Sequence, residues 1–393
     1  MPGAVRLSAT ETLPADGCAG ALAGRLWRPE FAGPSVVAIR ADGVFDITAA
    51  FPTMRDLCET GDPAASLRAA AGDYVGALAD ILANTPPDGR DPAKPWLIAP
   101  IDLQAVKAAG VTFAISMIER MIEERARGNP QAAEAIRGDI LSIVGDDLQT
   151  LQPGSEAAAA LKAALIARDM WSQYLEVGIG PDAEIFSKAQ PMACVGTGMD
   201  AGLHPLSTWN NPEPEIVLAV ASDGRIVGAT LGNDVNLRDI EGRSALLLSK
   251  AKDNNASCAV GPLLRFFDAS FDLDAVRRMT VTLCVIGPDG FRLDGESHMD
   301  RISRDPVDLV GQMIGPHHRY PDGAVLFLGT LFAPTKDRDA PGQGFTHHID
   351  DIVTVAAPEL GSLVNRMRRC GECEPWRFGT RELMRNLARR GVL

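Results

Sequence analysis

The second half of the chain is a succession of short β-rich segments that do not alternate regularly with helices. EIVLAVA (215–221), GRIVGATLG (224–232), MTVTLCVIG (279–287), AVLFLGTLF (324–332) and DIVTVAAP (351–358) are rich in β-branched residues and separated by turn formers. A doubly wound sheet needs strand and helix in strict alternation, so the pattern predicts an α+β fold that is mixed and β-rich. The 38 glycines suit the tight turns such a sheet requires.

Upstream, residues 35–49 (SVVAIRADGVFDITA) read as a hairpin around Asp42-Gly43. Proline then accumulates at Pro86, Pro87, Pro92, Pro95 and Pro100, a shift that marks a linker. The expected division is a small N-terminal α+β domain over 1–95 and a catalytic domain over 96–393. Ile115, Ile118, Met121 and Ile122 recur at helical spacing, predicting a helix over 115–127 that stops at Gly128-Asn129-Pro130. Ala157–Trp171 is alanine- and leucine-rich and predicts a second helix.

Charge narrows the function. With 51 acidic against 38 basic side chains the net charge is −13, and no basic run interrupts it, which disfavours nucleic acid as a partner. No apolar stretch is long enough to cross a bilayer, and the first twenty residues lack a signal-peptide core. Seven scattered cysteines fit free thiols in a reducing compartment, so a cytoplasmic protein is expected. Cys370 and Cys373 form one CxxC, without two further ligands nearby for zinc. There is no P-loop, and Gly196-Thr197-Gly198 lacks a third glycine, so nucleotide cofactors are disfavoured.

The most informative segment is Asn210-Asn211-Pro212-Glu213-Pro214-Glu215. On a strand, Glu213 and Glu215 project to one side, and two adjacent carboxylates need a cation or proton between them. Asp234, in Gly232-Asn233-Asp234-Val235-Asn236, follows the next strand and offers a third oxygen ligand. Three carboxylates without histidine or cysteine suit a hard divalent cation rather than zinc.

These residues resemble the fumarylacetoacetate hydrolase family, and more narrowly its sugar-acid branch. The shared features are Phe186-Ser187-Lys188 with Pro191, Val195-Gly196-x-Gly198, Glu213-x-Glu215 and Asn233-Asp234-Val235-x-x-Arg238-Asp239. Lys252 before Gly261-Pro262 and Gly329-Thr330 complete the set, spread over about residues 100–365. The resemblance implies that Glu213, Glu215 and Asp234 hold Mg²⁺ (or Mn²⁺). It also implies that Lys252 acts beside the substrate and that Thr330 helps bind its carboxylate. Where the family's hydrolases carry a histidine followed by glutamate, this chain has Ser116 and Glu119 after Phe113, placing Phe113 and Ser116 at the substrate. Losing that histidine weakens the case for activating a water.

The implied reaction is dehydration of a small 2-oxo sugar acid, a 2-keto-3-deoxy-pentonate of pentose catabolism, to 2,5-dioxopentanoate. The metal stabilises the enolate, Lys252 serves as base at C3, and Glu119 is the acid for the C4 hydroxyl. Lys250 is a rival to Lys252. The alternatives are C–C hydrolysis of an acylpyruvate or fumarylacetoacetate-like diketo acid, decarboxylation of oxaloacetate, and a non-catalytic binding protein. Arg238 and Asp239 are expected to form a supporting ion pair, and one of His317, His318, His347 and His348 could line the pocket. The resemblance further implies a homodimer or homotetramer.

Overall fold

In the computed structural model, which describes residues 4–127, 129, 132–133, 151–167, 171–332, 334 and 336–393, the β-rich segments become two sheets packed face to face. The larger has 11 strands. Its path runs Asp73–Gly76, Gly43–Asp46, Gly33–Arg40, Ala21–Arg28, Cys258–Phe266, Ile226–Asp234, Pro214–Val220, Ala324–Phe327, Ala105–Gly110 and Glu184–Ala189, with Trp96–Ile98 also paired to Ala21–Arg28. The 5-stranded sheet runs Arg292–His298, Thr280–Ile286, Ile352–Ala357, Gly361–Arg369 and Asp200–Leu203.

Side-chain alternation explains the layers. Ile216, Leu218 and Val220 point into the core between the sheets, where they meet Leu283, Val285, Val353 and Val355. Val217 points the other way, to Val260, Val325 and Phe327. Pro214–Val220 is therefore buried on both faces, which is why it reads as an unbroken apolar run. Thr280–Ile286 buries only Val281, Leu283 and Val285 and turns Thr282 and Ile286 outward, giving the period-two pattern of a half-exposed strand.

The hairpin forms, but Arg40 pairs with Gly43, so the two turn residues are Ala41-Asp42 rather than Asp42-Gly43. The sheet does not break at the expected boundary between residues 95 and 96. Ala21, Leu22 and Ala23 pair with Phe266, Arg265 and Leu264, making the N-terminal strands part of the same sheet as the carboxylate strands. The C-terminal helix Thr380–Arg390 returns to this region, where Asn386 Nδ2 donates to Phe31 O at 2.7 Å.

The helix expected over 115–127 spans Ala114–Arg125. Met117, Met121 and Ile122 pack with Tyr174, Leu175 and Ile179 in a side core. The second expected helix spans Glu156–Ile166. Gly128 and Pro130 of the expected stop, residues 168–170, the Ile115 side chain and Ala333 lie outside the described residues.

Candidate metal centre and acid cluster

Glu213 and Glu215 flank Pro214 at the start of their strand, and Asp234 ends the neighbouring one. The Asp234 N–H donates to Glu213 O at 3.0 Å, so the two residues lie opposite each other across the ladder. One oxygen from each of Glu213, Glu215 and Asp234 lies within 4.8 Å of the others, and all three side chains are buried. Among the described residues this is the one such group of three potential ligands. Burial, together with the charges of Asp234 and Glu213, pushes the Glu215 carboxyl well above the ordinary range. A carboxyl that retains its proton because two neighbours are already negative is a site a divalent cation fits, and its oxygen-only donor set suits Mg²⁺ or Mn²⁺. Ion binding there would release the proton, so affinity should tighten as pH rises.

Gly329 aims the second ligand. Its N–H donates to Glu215 Oε2 at 2.6 Å, and its φ of 86° lies in the left-handed region. A Cβ there would collide with Thr112 Oγ1 and sit 3.1 Å from Ala109 O. Gly329→Ala is therefore expected to destabilise the fold by about 1–3 kcal/mol and to weaken Mn²⁺ binding. A thermal melt with a Mn²⁺ titration reads both, and wild-type values would show that Glu215 is aimed by something else.

Lys252 closes the short helix Leu248–Lys252. Its Nζ donates to Glu213 Oε2 and, at 3.0 Å, to Asp234 Oδ2. Burial disfavours the ammonium, but the charges of Asp234, Glu213 and Glu241 outweigh it and raise the Lys252 pKa. Lys250, the rival, is exposed on the same helix and does not line the cleft.

The helix Ala114–Arg125 supplies one wall. Ser116, Glu119, Arg120 and Glu123 recur at helical spacing and all face the cleft. Arg120 pairs with Glu123, Glu213 and, at 2.9 Å, Glu241. Arg238 donates to Glu123 at 2.6 Å and lies 3.4 Å from Glu119 Oε2, with its guanidinium 4.3 Å above the Trp209 ring. Arg238 and Asp239 do not pair with each other as expected, because Asp239 accepts instead from Thr208 N and Ser207 Oγ, both at 2.8 Å.

Of the expected substrate contacts, Thr330 and Ser116 line the cleft. Ser116 Oγ also donates to Phe113 O at 2.8 Å. Phe113 does not line it. As the residue that starts the helix it turns inward, and its ring is fully buried in the main core; Phe186 and Phe332 are the aromatic walls. None of the histidines lines the cleft, and His347 is buried against Asp351 at 3.1 Å. Burial raises the thiols of Cys370 and Cys373 to about 11 and about 12, which makes both poor nucleophiles at neutral pH.

One acid escaped the sequence reading. Glu184 starts the strand Glu184–Ala189 and is paired in register with Gly110, where a Cβ would overlap its carboxylate. It lines the cleft, and burial together with the charge of Glu241 raises its pKa to about 7. The signal was period two along the strand, which sets Glu184 on the same face as Phe186.

No protein-family model matches this chain. It is 28% identical to the 2-dehydro-3-deoxy-D-arabinonate dehydratase of Saccharolobus solfataricus over 186 residues, 47% of this chain and 59% of that one. It is 29% identical to a probable 2-keto-3-deoxyxylonate dehydratase of Haloferax volcanii over 196 residues, 50% of this chain and 64% of that one. The matched region thus spans less than two thirds of either curated relative. Among solved structures, 2-keto-3-deoxy-D-arabinonate dehydratase complexed with magnesium and 2,5-dioxopentanoate aligns with a TM-score of 0.61 at 19% identity, covering 88% of this chain and 99% of that chain. A fumarylacetoacetate hydrolase from Exiguobacterium antarcticum aligns with a TM-score of 0.52 at 16% identity, covering 89% and 99%. The fold is that of the fumarylacetoacetate hydrolases. Within it the carboxylate triad sits at the ends of two central neighbouring strands, walled by the helix Ala114–Arg125. Among the described residues, no helix is long and apolar enough to cross a membrane.

Proposed function

We propose that the protein is a metal-dependent dehydratase that converts a 2-keto-3-deoxy-pentonate to 2,5-dioxopentanoate. The observation that carries this reading is the joining, in one cleft, of three converging carboxylates, a buried lysine between two of them, and a separate carboxyl with a pKa of about 7. The solved relative that contains magnesium and 2,5-dioxopentanoate, and the two curated relatives, support the same substrate class.

Glu213, Glu215 and Asp234 would hold Mg²⁺ or Mn²⁺, which supplies a Lewis acid for the oxygens of a 2-oxo acid. The chain's own residues move the protons. Lys252 takes the C3 proton; it can do so only once the charges of Glu213 and Asp234, which raise its proton affinity, are offset. Glu184 gives a proton to the departing C4 hydroxyl, since a pKa of about 7 leaves it partly protonated at neutral pH and ready to donate. Glu119, the acid expected from the sequence, lines the same cleft 3.4 Å from Arg238 and is the alternative donor. Thr330 and Ser116 line the cleft and would contact the substrate.

Hydrolysis of a diketo acid would need a group to activate water, and no histidine lines the cleft among the described residues. Assaying water loss from 2-keto-3-deoxy-xylonate and -arabinonate beside cleavage of acetylpyruvate decides the matter, and turnover of acetylpyruvate alone would overturn the proposal. Glu213→Ala, Glu215→Ala and Asp234→Ala are each expected to abolish turnover and to weaken Mn²⁺ binding in calorimetric titration, while the protein stays folded. Unchanged affinity in all three variants would remove the triad from the site. A cytoplasmic setting and a homodimeric or homotetrameric assembly belong to the same reading, and light scattering on the purified protein tests the assembly.

A further inference from the structure

Lys188 has no part in the chemistry above, yet it is fully buried beside a metal-facing carboxylate. Its Nζ lies 2.9 Å from Asp234 Oδ1 and donates to Val235 O at 3.4 Å and to the Lys252 carbonyl. Three oxygens thus surround one buried nitrogen, the setting a cationic side chain requires away from water. We propose that Lys188 is a resident counter-cation of the carboxylate triad: it allows Asp234 to be buried as an anion before any ion arrives, and it stays in place when one binds.

The two lysines differ in what they can do. Lys252 lines the cleft and donates to both Glu213 Oε2 and Asp234 Oδ2, so an incoming ion can displace it. Lys188 does not line the cleft; it approaches the other oxygen of Asp234 from inside the protein and has no route out. On the reading that the triad binds a divalent ion, Lys188 remains at Asp234 Oδ1 beside it. The bond from Lys188 to the Lys252 carbonyl also ties the end of the helix Leu248–Lys252 to the strand beneath it.

The test is thermal unfolding of the wild-type protein and of Lys188→Met, each in EDTA and in millimolar Mn²⁺. Methionine keeps most of the apolar stem and removes the charge. In EDTA the variant is expected to melt about 5 °C lower, because one partner of a buried ion pair is gone. In Mn²⁺ most of that deficit should disappear, since the ion supplies the missing charge. An equal deficit in both buffers, or a variant that fails to fold in either, would show that Lys188 contributes packing rather than charge. A wild-type protein whose melting temperature ignores Mn²⁺ would overturn the metal site itself, and this proposal with it; a wild-type shift without the differential rescue overturns this proposal alone.

Discussion

Lys252→Met is expected to stop exchange of the substrate's C3 protons with deuterated water and to lower turnover by about a hundred- to ten-thousand-fold. Among the described residues the buried Lys252 Nζ is the one amine that both reaches the cleft and touches two carboxylates of the triad, and Lys250 is exposed. Mn²⁺ affinity should hold or tighten, because removing the ammonium removes a cation that competes for Glu213 and Asp234. NMR of the C3 protons and a Mn²⁺ titration on the same sample give both readouts. Exchange at the wild-type rate would take the base role from Lys252, whereas a collapse of Mn²⁺ affinity would make it a structural support of the triad.

Glu184→Gln carries the second large effect. If the Glu184 carboxyl protonates the leaving hydroxyl, the amide should keep C3 exchange while release of 2,5-dioxopentanoate falls by about a hundred-fold or more. Glu119→Gln, which removes one partner of an ion pair, should slow exchange and release together or leave both alone. The pH dependence has a definite sign. A general acid works in its protonated form, so wild-type product release should decline as pH rises through about 7, and that limb should vanish in Glu184→Gln. Stability follows the same direction: the folded pKa lies above the ordinary value of a glutamate, so the contribution of Glu184 is fully present below that value and fades as pH climbs through about 7. An alkaline limb that persists in the variant would move the acid role to another group.

How much of this was legible in the sequence depends on the range of the interaction. The strands at 214–220, 226–234, 280–286 and 352–357 announced themselves because alternation and β-branching are local properties. Glu213, Glu215 and Asp234 were legible for the same reason, being set by period two on one strand and the end of the next. Arg120 and Glu123 share the helical face of Glu119, so their places could have been read from spacing, although their pairing with Glu213, Glu241 and Arg238 could not. Glu184 was hidden because its significance lies in a missing Cβ at Gly110 on a neighbouring strand and in the charge of Glu241, brought near by the fold. Phe113 was misplaced because the motif that surrounds it fixes sequence position and says nothing about which way the ring turns. The proline-rich stretch was read as a break between domains, yet it carries the chain to Trp96–Ile98, which pairs back onto Ala21–Arg28.

That pairing bears on how the molecule is made. During synthesis Ala21 leaves the ribosome long before Phe266, its partner in the finished sheet. At about 5–20 residues per second the strand waits on the order of ten to fifty seconds for Cys258–Phe266 to appear. A strand left with unpaired N–H and C=O groups for so long is a template for other nascent chains. Here much of the open side is covered early: Arg25, Leu26 and Trp27 pair with Ile98, Leu97 and Trp96 as soon as that short strand emerges, and Trp27 stacks on Trp96 with ring centroids 5.9 Å apart. The stretch that must stay open until late translation shrinks to Ala21, Leu22 and Ala23, whose side chains are small or aliphatic and carry no charge to repel a wrong partner. The tryptophan pair thus guards one half of a seam whose other half only the distant strand can close.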